Sequence, residues 1–207
     1  MYDQTKKSSA VHNICKFMSL KNDSVIRTMS MLEFDFCFHA EYNPKVTRFE
    51  SQPFGFKYRF NGRECRYTPD FQICNYDNFS TLVEVKHSSQ INKADFRARF
   101  SEKQRVAKQE HQKSLILVTE KQIRTGFFLA NLKLLHSYSG LRTVTPLQKR
   151  LLQIIKKKRF VLLSDVANEL CISDDQAVTS ALCWLASGDI KADLKSVRFG
   201  LDSHVWC

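Results

Sequence analysis

The spacing of apolar and polar positions divides the first two thirds of the chain into helices and strands. Residues 31–42 carry apolar side chains at helical spacing over a broad face, which predicts a helix ended by Asn43-Pro44. Residues 48–60 are extended in character, and the Asn61-Gly62 pair that follows is a strong hairpin signal. A second hairpin is predicted with arms at residues 67–74 and 81–86. Residues 13–28 show no clean period and predict no element.

The next segment alternates between helical and extended patterns. Residues 93–111 combine a modest apolar stripe with many charges, residues 114–119 form a short apolar run of strand length, and residues 127–135 are helical again. The order of helix, strands, helix, strand and helix is typical of a mixed sheet flanked by helices, in the α/β or α+β class. We expect an α/β fold.

A domain boundary is predicted at residues 137–140, which separates a first domain at 1–139 from a second at 140–207. The second domain has its own pattern: a helix around 147–155, a short helix capped by Ser164, and a longer helix that begins at Ser173 and ends at Gly188. Residues 190–194 and 196–201 are predicted to pair as a hairpin. Three helices and a two-stranded wing describe a small winged-helix domain.

Charge points to an anionic partner, because 32 Lys and Arg residues against 21 Asp and Glu residues give a formal net charge of +11. Seven cysteines, with no Cys-x2-Cys pair, favour neither a disulfide framework nor a zinc site. The sequence shows no apolar run of about 18 residues and no secretory leader. We therefore expect a cytoplasmic protein without a membrane partner.

Candidate chemistry is concentrated in the second hairpin. Pro69-Asp70 opens one strand, and Val83-Glu84-Val85-Lys86 lies in the partner strand, where alternation places Glu84 and Lys86 on one face. Asp70 can approach Glu84 across the hairpin, and two close carboxylates are commonly bridged by a hard cation such as Mg²⁺. The alternative interpretation is that Glu84 and Lys86 form a solvated ion pair on an exposed sheet face and that Asp70 is only a turn residue after Pro69. The combination is the pattern of the PD-(D/E)xK nucleases.

A third acid is expected from the preceding helix, and Glu33 is the preferred candidate. Ser30 and Glu33 also fit a capping box, in which Glu33 would serve only the helix start. Glu41 is the alternative acid, but it lies at the helix end beside Asn43-Pro44.

Five segments follow one another along the chain: residues 30–42, residues 49–53, the Asn61-Gly62 hairpin, residues 67–71 and residues 83–86. Together, and in this order, they resemble the N-terminal domain of the TnsA transposon-end endonucleases. The resemblance extends over about residues 30–135. It implies a restriction-endonuclease-like fold, followed by a small winged-helix domain that contacts partners. The chain is short for this family, which leaves less room for partner contacts in the second domain.

The resemblance also implies a function and its site. Glu33, Asp70, Glu84 and Lys86 match the catalytic positions, and Glu33, Asp70, Glu84 and the Val85 carbonyl would hold one or two Mg²⁺ ions, for which Mn²⁺ could substitute. The enzyme would be a metal-dependent DNA endonuclease that nicks the 5′ ends, the non-transferred strands, of a transposon during cut-and-paste transposition. Its partners would be double-stranded DNA, a DDE transposase (TnsB) and an AAA+ regulator (TnsC). The resemblance further implies a prokaryotic protein that is nucleoid-associated when bound to DNA. The alternatives are a stand-alone restriction or repair nuclease and a non-catalytic DNA-binding adaptor.

Two basic segments bear on DNA contact. The predicted helix at 93–111 carries basic residues that either contact phosphates or form a solvated face, namely Arg97, Arg99, Lys103, Arg105 and Lys108. The segment from Ile172 to Ile190, which contains the helix after Ser173, has no Lys or Arg and carries three aspartates, Asp174, Asp175 and Asp189. Because a helix that reads DNA bases relies on basic and amide side chains, we expect the second domain to dock a protein.

Overall fold

The structure, a computed structural model, describes residues 14–77, 79–140 and 143–207. The chain divides into two compact units, one up to Ile123 and the other from Arg124. Residues 1–13 and 78 of the predicted first domain and residues 141–142 of the predicted second domain lie outside the described ranges. In those ranges, no helix has the length and apolar character needed to cross a membrane.

The first unit contains a four-stranded mixed sheet, two separate hairpins and four helices among its described residues. Its elements in chain order are β1 (Cys15–Ser19), β2 (Ser24–Thr28), α1 (Met31–Tyr42), β3 (Val46–Ser51), β4 (Phe56–Phe60), β5 (Arg63–Tyr67), β6 (Phe71–Asn75), β7 (Ser80–Lys86), α2 (Ser88–Ile91), α3 (Ala94–His111), β8 (Ser114–Thr119) and α4 (Glu120–Ile123). The sheet has the order β3-β6-β7-β8. The β3–β6 and β6–β7 pairs are antiparallel, and the β7–β8 pair is parallel.

Local signals set the ends of α1 where the sequence predicts them. The Ser30 side chain accepts a hydrogen bond from the backbone N–H of Glu33 and so caps the first turn. The helix ends at Tyr42 because Pro44 disfavours helical geometry at Asn43, which is extended. Phe36, Cys37 and other apolar side chains of α1 are buried in the core.

The hairpin predicted at Asn61-Gly62 is confirmed as β4 and β5. Both turn residues have positive φ, 48° for Asn61 and 75° for Gly62. Two central residues with positive φ are what the tight two-residue hairpin turn requires, and Asn-Gly adopts them at low cost. The turn leads the chain back along β5 to Tyr67, two residues before Pro69 of the Pro69-Asp70 pair.

The segment without a clean period forms the β1–β2 hairpin. Phe17 and Ile26 face each other on the buried side, whereas Met18 and Val25 are paired on the other side and are 46% and 51% exposed. Because both faces carry apolar residues, the alternation that marks a half-buried strand is hidden in the sequence.

Strand β7 lies at the centre of the mixed sheet, between β6 and β8. Leu82 and Val83 are fully buried, on opposite faces of the strand. Helices α2 and α3 provide the crossover that a parallel β7–β8 pair needs. Phe100, Val106 and Ala107 of α3 pack with Leu115 of β8 in one apolar cluster.

The described residues of the second unit form four helices and a small antiparallel sheet. Its elements are α5 (Phe128–Tyr138), α6 (Pro146–Lys158), β9 (Phe160–Leu162), α7 (Leu163–Leu170), α8 (Asp174–Ser187), β10 (Lys191–Ala192) and β11 (His204–Trp206), with the sheet order β10-β11-β9. Helix α5 belongs here because the Asn131 amide donates to the carbonyls of Leu194 and Val197 and accepts from Phe199 N–H. The division at Ile123 therefore falls before the predicted boundary at 139.

Two local predictions in this unit are wrong. Ser164 does not cap a helix, because α7 already begins at Leu163 and the Ser164 N–H is bonded to the Leu201 carbonyl. The predicted hairpin arms also differ: β10 pairs with β11, beyond residue 201, and β11 pairs in turn with β9. Asp193 accepts the N–H groups of Lys195 and Ser196 and turns the chain away from β10. The cap at Ser173 and the left-handed end at Gly188 are confirmed.

Candidate active site

The antiparallel register of β6 and β7 brings Asp70 opposite Glu84. Phe71 pairs with Val83, so that Asp70, one residue before Phe71, lies across from Glu84, one residue after Val83. Glu84 is buried at 3% exposure although it carries a carboxyl group. Lys86 follows on the same face of the strand, as predicted from alternation.

The Lys86 ammonium lies between the two carboxylates. Its Nζ is 3.4 Å from Glu84 Oε1 and 3.8 Å from Asp70 Oδ2. Asp70 Oδ2 also accepts the backbone N–H of Val85 at 2.8 Å. One turn residue and two residues of a central strand thus form a compact acid–amine cluster, which is not a solvated pair on an open sheet face.

The electrostatics of this cluster follow from burial and from like charges. Burial, and next the charge of Glu84, raise the pKa of Asp70 to about 7, although Lys86 opposes the rise. Burial lowers the pKa of Lys86, but Asp70 and Glu84 outweigh it and the pKa lies above its usual value. Lys86 is therefore an ammonium group at neutral pH.

Glu33 takes part in the cap of α1 and also acts on this cluster. Its carboxylate accepts from Met29 N–H and from the Ser30 hydroxyl, both at 2.9 Å. The buried Glu33 charge also contributes to the raised pKa of Asp70 and of Lys86. In a single position, the Glu33 side chain therefore both caps α1 and acts electrostatically on Asp70 and Lys86.

Glu41, the alternative acid, forms its hydrogen bonds with the β1–β2 turn. Its carboxylate accepts from the Ser19 hydroxyl at 2.6 Å and from the Lys21 backbone N–H at 2.9 Å. It therefore anchors the turn between β1 and β2 to the end of α1.

Gln52 positions the backbone at Asp70. Its N–H donates to the Asp70 carbonyl at 2.8 Å, and its φ of 45° is unusual for a residue other than glycine. In the part of the chain that the structure describes, the buried Gln52 Oε1 has no hydrogen-bond partner.

Two residues at the site were not predicted from the sequence. The Tyr67 hydroxyl donates to Glu84 Oε2 at 2.5 Å, and Lys103 Nζ of α3 lies 3.9 Å from Glu84 Oε1. The signal for Tyr67 was available, because a tyrosine at an inward strand position needs a partner for its hydroxyl. Lys103 gave no signal, since it looks like the other basic residues of α3 but has a side chain only 14% exposed.

The donor set suits a hard divalent cation. Mg²⁺ is usually held by one or two carboxylates together with water and substrate phosphates, and Asp70 and Glu84 are two buried carboxylates whose repulsion is only partly offset. Among the described residues, no three His, Cys, Asp or Glu side chains converge as a complete protein-only metal site. The contact of Val85 with Asp70 is through its N–H, so a role for its carbonyl stays a prediction.

A mixed sheet with flanking helices, an aspartate at the start of one strand and Glu-x-Lys on the next fit a restriction-endonuclease-like nuclease fold. Residues 43–120 match the family model described as "TnsA-like endonuclease N terminal". The predicted resemblance to the TnsA-type endonucleases is thereby confirmed over that segment, which contains Asp70, Glu84 and Lys86. A comparison with curated proteins finds no match.

Proposed function

We propose that this protein is a Mg²⁺-dependent DNA endonuclease that nicks the 5′ ends of a transposon during cut-and-paste transposition. The match to a TnsA-like endonuclease domain supports a nuclease related to transposition. The observation that carries the proposal further is the buried Asp70–Glu84 pair, with Lys86 within 4 Å of both carboxylates.

Each group of the cluster has a proposed role. Asp70 and Glu84 would hold the cation, with the Val85 carbonyl as a further ligand, and Glu33 would assist through water or through a second ion. When bound, the cation supplies Lewis-acid chemistry that activates water and offsets charge on the phosphate. Lys86, which is held as an ammonium group, would orient the attacking water or stabilise the charge that grows on the phosphate.

The second unit is proposed as a winged-helix-like domain that docks a protein partner. Three helices, α6 to α8, and the small sheet β10-β11-β9 are compatible with that class. Helix α8 begins with Asp174 and Asp175 and has no basic residue, which disfavours contact with phosphates. A DDE transposase of the TnsB type and an AAA+ regulator of the TnsC type are the proposed partners.

A reconstituted nicking assay tests the proposed function. Supercoiled DNA that carries a transposon end is incubated with the full chain and Mg²⁺, with and without the transposase and the regulator. We expect 5′ nicks at the end sequence that need Mg²⁺ and the transposase. Asp70→Ala should abolish them while the circular dichroism spectrum is kept, and Asp77→Ala, which removes a carboxylate from an exposed turn, should not.

The other outcomes identify the alternatives. Equally fast cleavage without the transposase would favour a stand-alone restriction or repair nuclease. Binding of the ends without cleavage under any condition would favour a non-catalytic adaptor. Cleavage by Asp70→Ala with wild-type kinetics would remove the site assignment.

A further inference from the structure

The Glu84 carboxylate is contacted on both oxygens by residues outside the predicted motif. Oε2 accepts the Tyr67 hydroxyl at 2.5 Å. Oε1 faces two ammonium groups, Lys86 at 3.4 Å and Lys103 at 3.9 Å. A carboxylate at 3% exposure is thus held from three directions.

Tyr67 is itself fixed by the fold. It is the last residue of β5 and pairs with Phe56 of β4. The two rings pack edge to face, with their centroids 5.1 Å apart. The side chain is buried at 8% exposure. Because strand pairing and ring packing set its position, its hydroxyl provides a rigid donor to Glu84.

Lys103 reaches the same place from α3. Its ammonium lies 3.8 Å from the centroid of the Tyr67 ring, a cation–π distance, while Glu84 Oε1 is within ion-pair range. Its basic neighbours Arg99 and Lys108 behave differently: Arg99 is bonded to Asp95 on the outside of α3, and Lys108 is exposed. One lysine of the basic helix is therefore directed to the acidic cluster.

These contacts have opposite consequences for a cation. A neutral hydroxyl that fixes a metal-binding carboxylate raises affinity for the metal, because the ligand is already oriented. An ammonium group beside the same carboxylate stabilises its charge when no metal is bound and repels a divalent cation that enters.

We propose that Tyr67 is a positioning residue that orients Glu84 for the metal, and that Lys103 is the counter-ion that takes the place of the cation in the metal-free protein. The proposal rests on the metal-dependent function proposed above. It adds two residues, from β5 and α3, to the control of metal binding.

Mn²⁺ binding by the full chain, measured by electron paramagnetic resonance titration, tests both parts. Tyr67→Phe removes one oxygen and keeps the ring beneath Lys103; we expect the Mn²⁺ dissociation constant to rise about 10- to 100-fold. Tyr58→Phe, in the same hairpin and also buried, should leave it unchanged. Lys103→Met should lower the dissociation constant at least about threefold, because a nearby positive charge is lost. Lys108→Met, on the exposed side of α3, should not change it.

The opposite signs distinguish the proposal from general damage to the pocket. Weaker Mn²⁺ binding in both Tyr67→Phe and Lys103→Met would overturn it, because a loosened cluster predicts loss in both variants. Wild-type affinity in Tyr67→Phe would overturn the positioning role. If the wild-type chain binds Mn²⁺ and these variants bind it equally, only this inference fails. If the wild-type chain binds no Mn²⁺ and nicks DNA without any metal, the proposed function fails as well. Urea midpoints of all variants establish that each one is folded.

Discussion

The Asp70 carboxylate should destabilise the metal-free protein, and its replacement by asparagine should therefore raise stability. Burial and Glu84 move the pKa of Asp70 from 3.8 to about 7. A pKa raised by folding means that the folded state binds the proton more tightly than the unfolded state, so that stability falls as pH rises from 3.8 to 7 and stays low above that. At about 1.4 kcal/mol per pKa unit, the full penalty above pH 7 is on the order of 4 kcal/mol.

Asp70→Asn removes this charge and keeps an oxygen that can accept the Val85 N–H. We expect the variant to be more stable than wild type at pH 8 by up to about 4 kcal/mol, and at pH 5 by only about 1–2 kcal/mol, because the wild-type side chain is then largely protonated when folded. With an m-value of about 1–3 kcal/mol/M, even half of the pH 8 gain moves the urea midpoint by about 1 M.

The assay is urea unfolding in EDTA at pH 5 and pH 8, followed by circular dichroism. Asp77→Asn, which removes one carboxylate from an exposed turn, serves as the control for a general effect of net charge and should shift the midpoint little at either pH. The reasoning is refuted if Asp70→Asn is less stable than wild type at pH 8, or if its advantage is the same at both pH values.

Two further substitutions test single contacts. Glu33→Gln keeps an oxygen for the cap of α1, so unfolding should change by only about 1 kcal/mol, whereas nicking should fall at least about tenfold if the Glu33 charge serves the cluster; wild-type nicking would confine Glu33 to the cap. Gly55→Ala would bring a Cβ within 2.8 Å of Thr68 Oγ1 and 3.2 Å of the Tyr67 carbonyl, which should destabilise by about 1–3 kcal/mol in thermal unfolding. Gly140→Ala, with open space around the Cβ, is its control, and equal losses in both variants would contradict the packing argument.

The elements that the sequence predicts well are those set by neighbouring residues. The Ser30 cap and Asn43-Pro44 fix both ends of α1, and Asn61-Gly62 fixes the β4–β5 turn, because each signal acts within a few residues. The β1–β2 hairpin could not be recognised, since Met18 and Val25 place apolar residues on its exposed face. The second-unit sheet was missed in part because β11 pairs with strands far from it in the chain.

The same distinction applies to the site. The proximity of Asp70, Glu84 and Lys86 could be predicted from the sequence, because strand alternation and one hairpin relate the three residues. Lys103 could not, because its position depends on how α3 packs against β4 and β8, and nothing in the sequence separates it from the exposed lysines of that helix. Tyr67 lies between these cases. Its burial follows from alternation, but its hydrogen bond to Glu84 depends on how the β4–β5 hairpin lies beside β7, with which it shares no strand pairing.

The balance of charge at the site gives a physical reason why such a cluster persists at a cost in stability. The charges of Glu84 and Glu33 raise the pKa of Asp70, and all three carboxylates raise the pKa of Lys86. The cations of the cluster are Lys86 and Lys103. The fully ionised cluster, with three carboxylates and two ammonium groups, therefore keeps one net negative charge in a largely buried place. Burial and the neighbouring carboxylates together raise the pKa of Asp70. One divalent cation would turn this excess into one net positive charge, opposite to the single negative charge of a phosphodiester. A core selected for stability alone would replace one acid by a neutral residue, whereas the proposed endonuclease site, which would attract first a cation and then a phosphate, requires the imbalance.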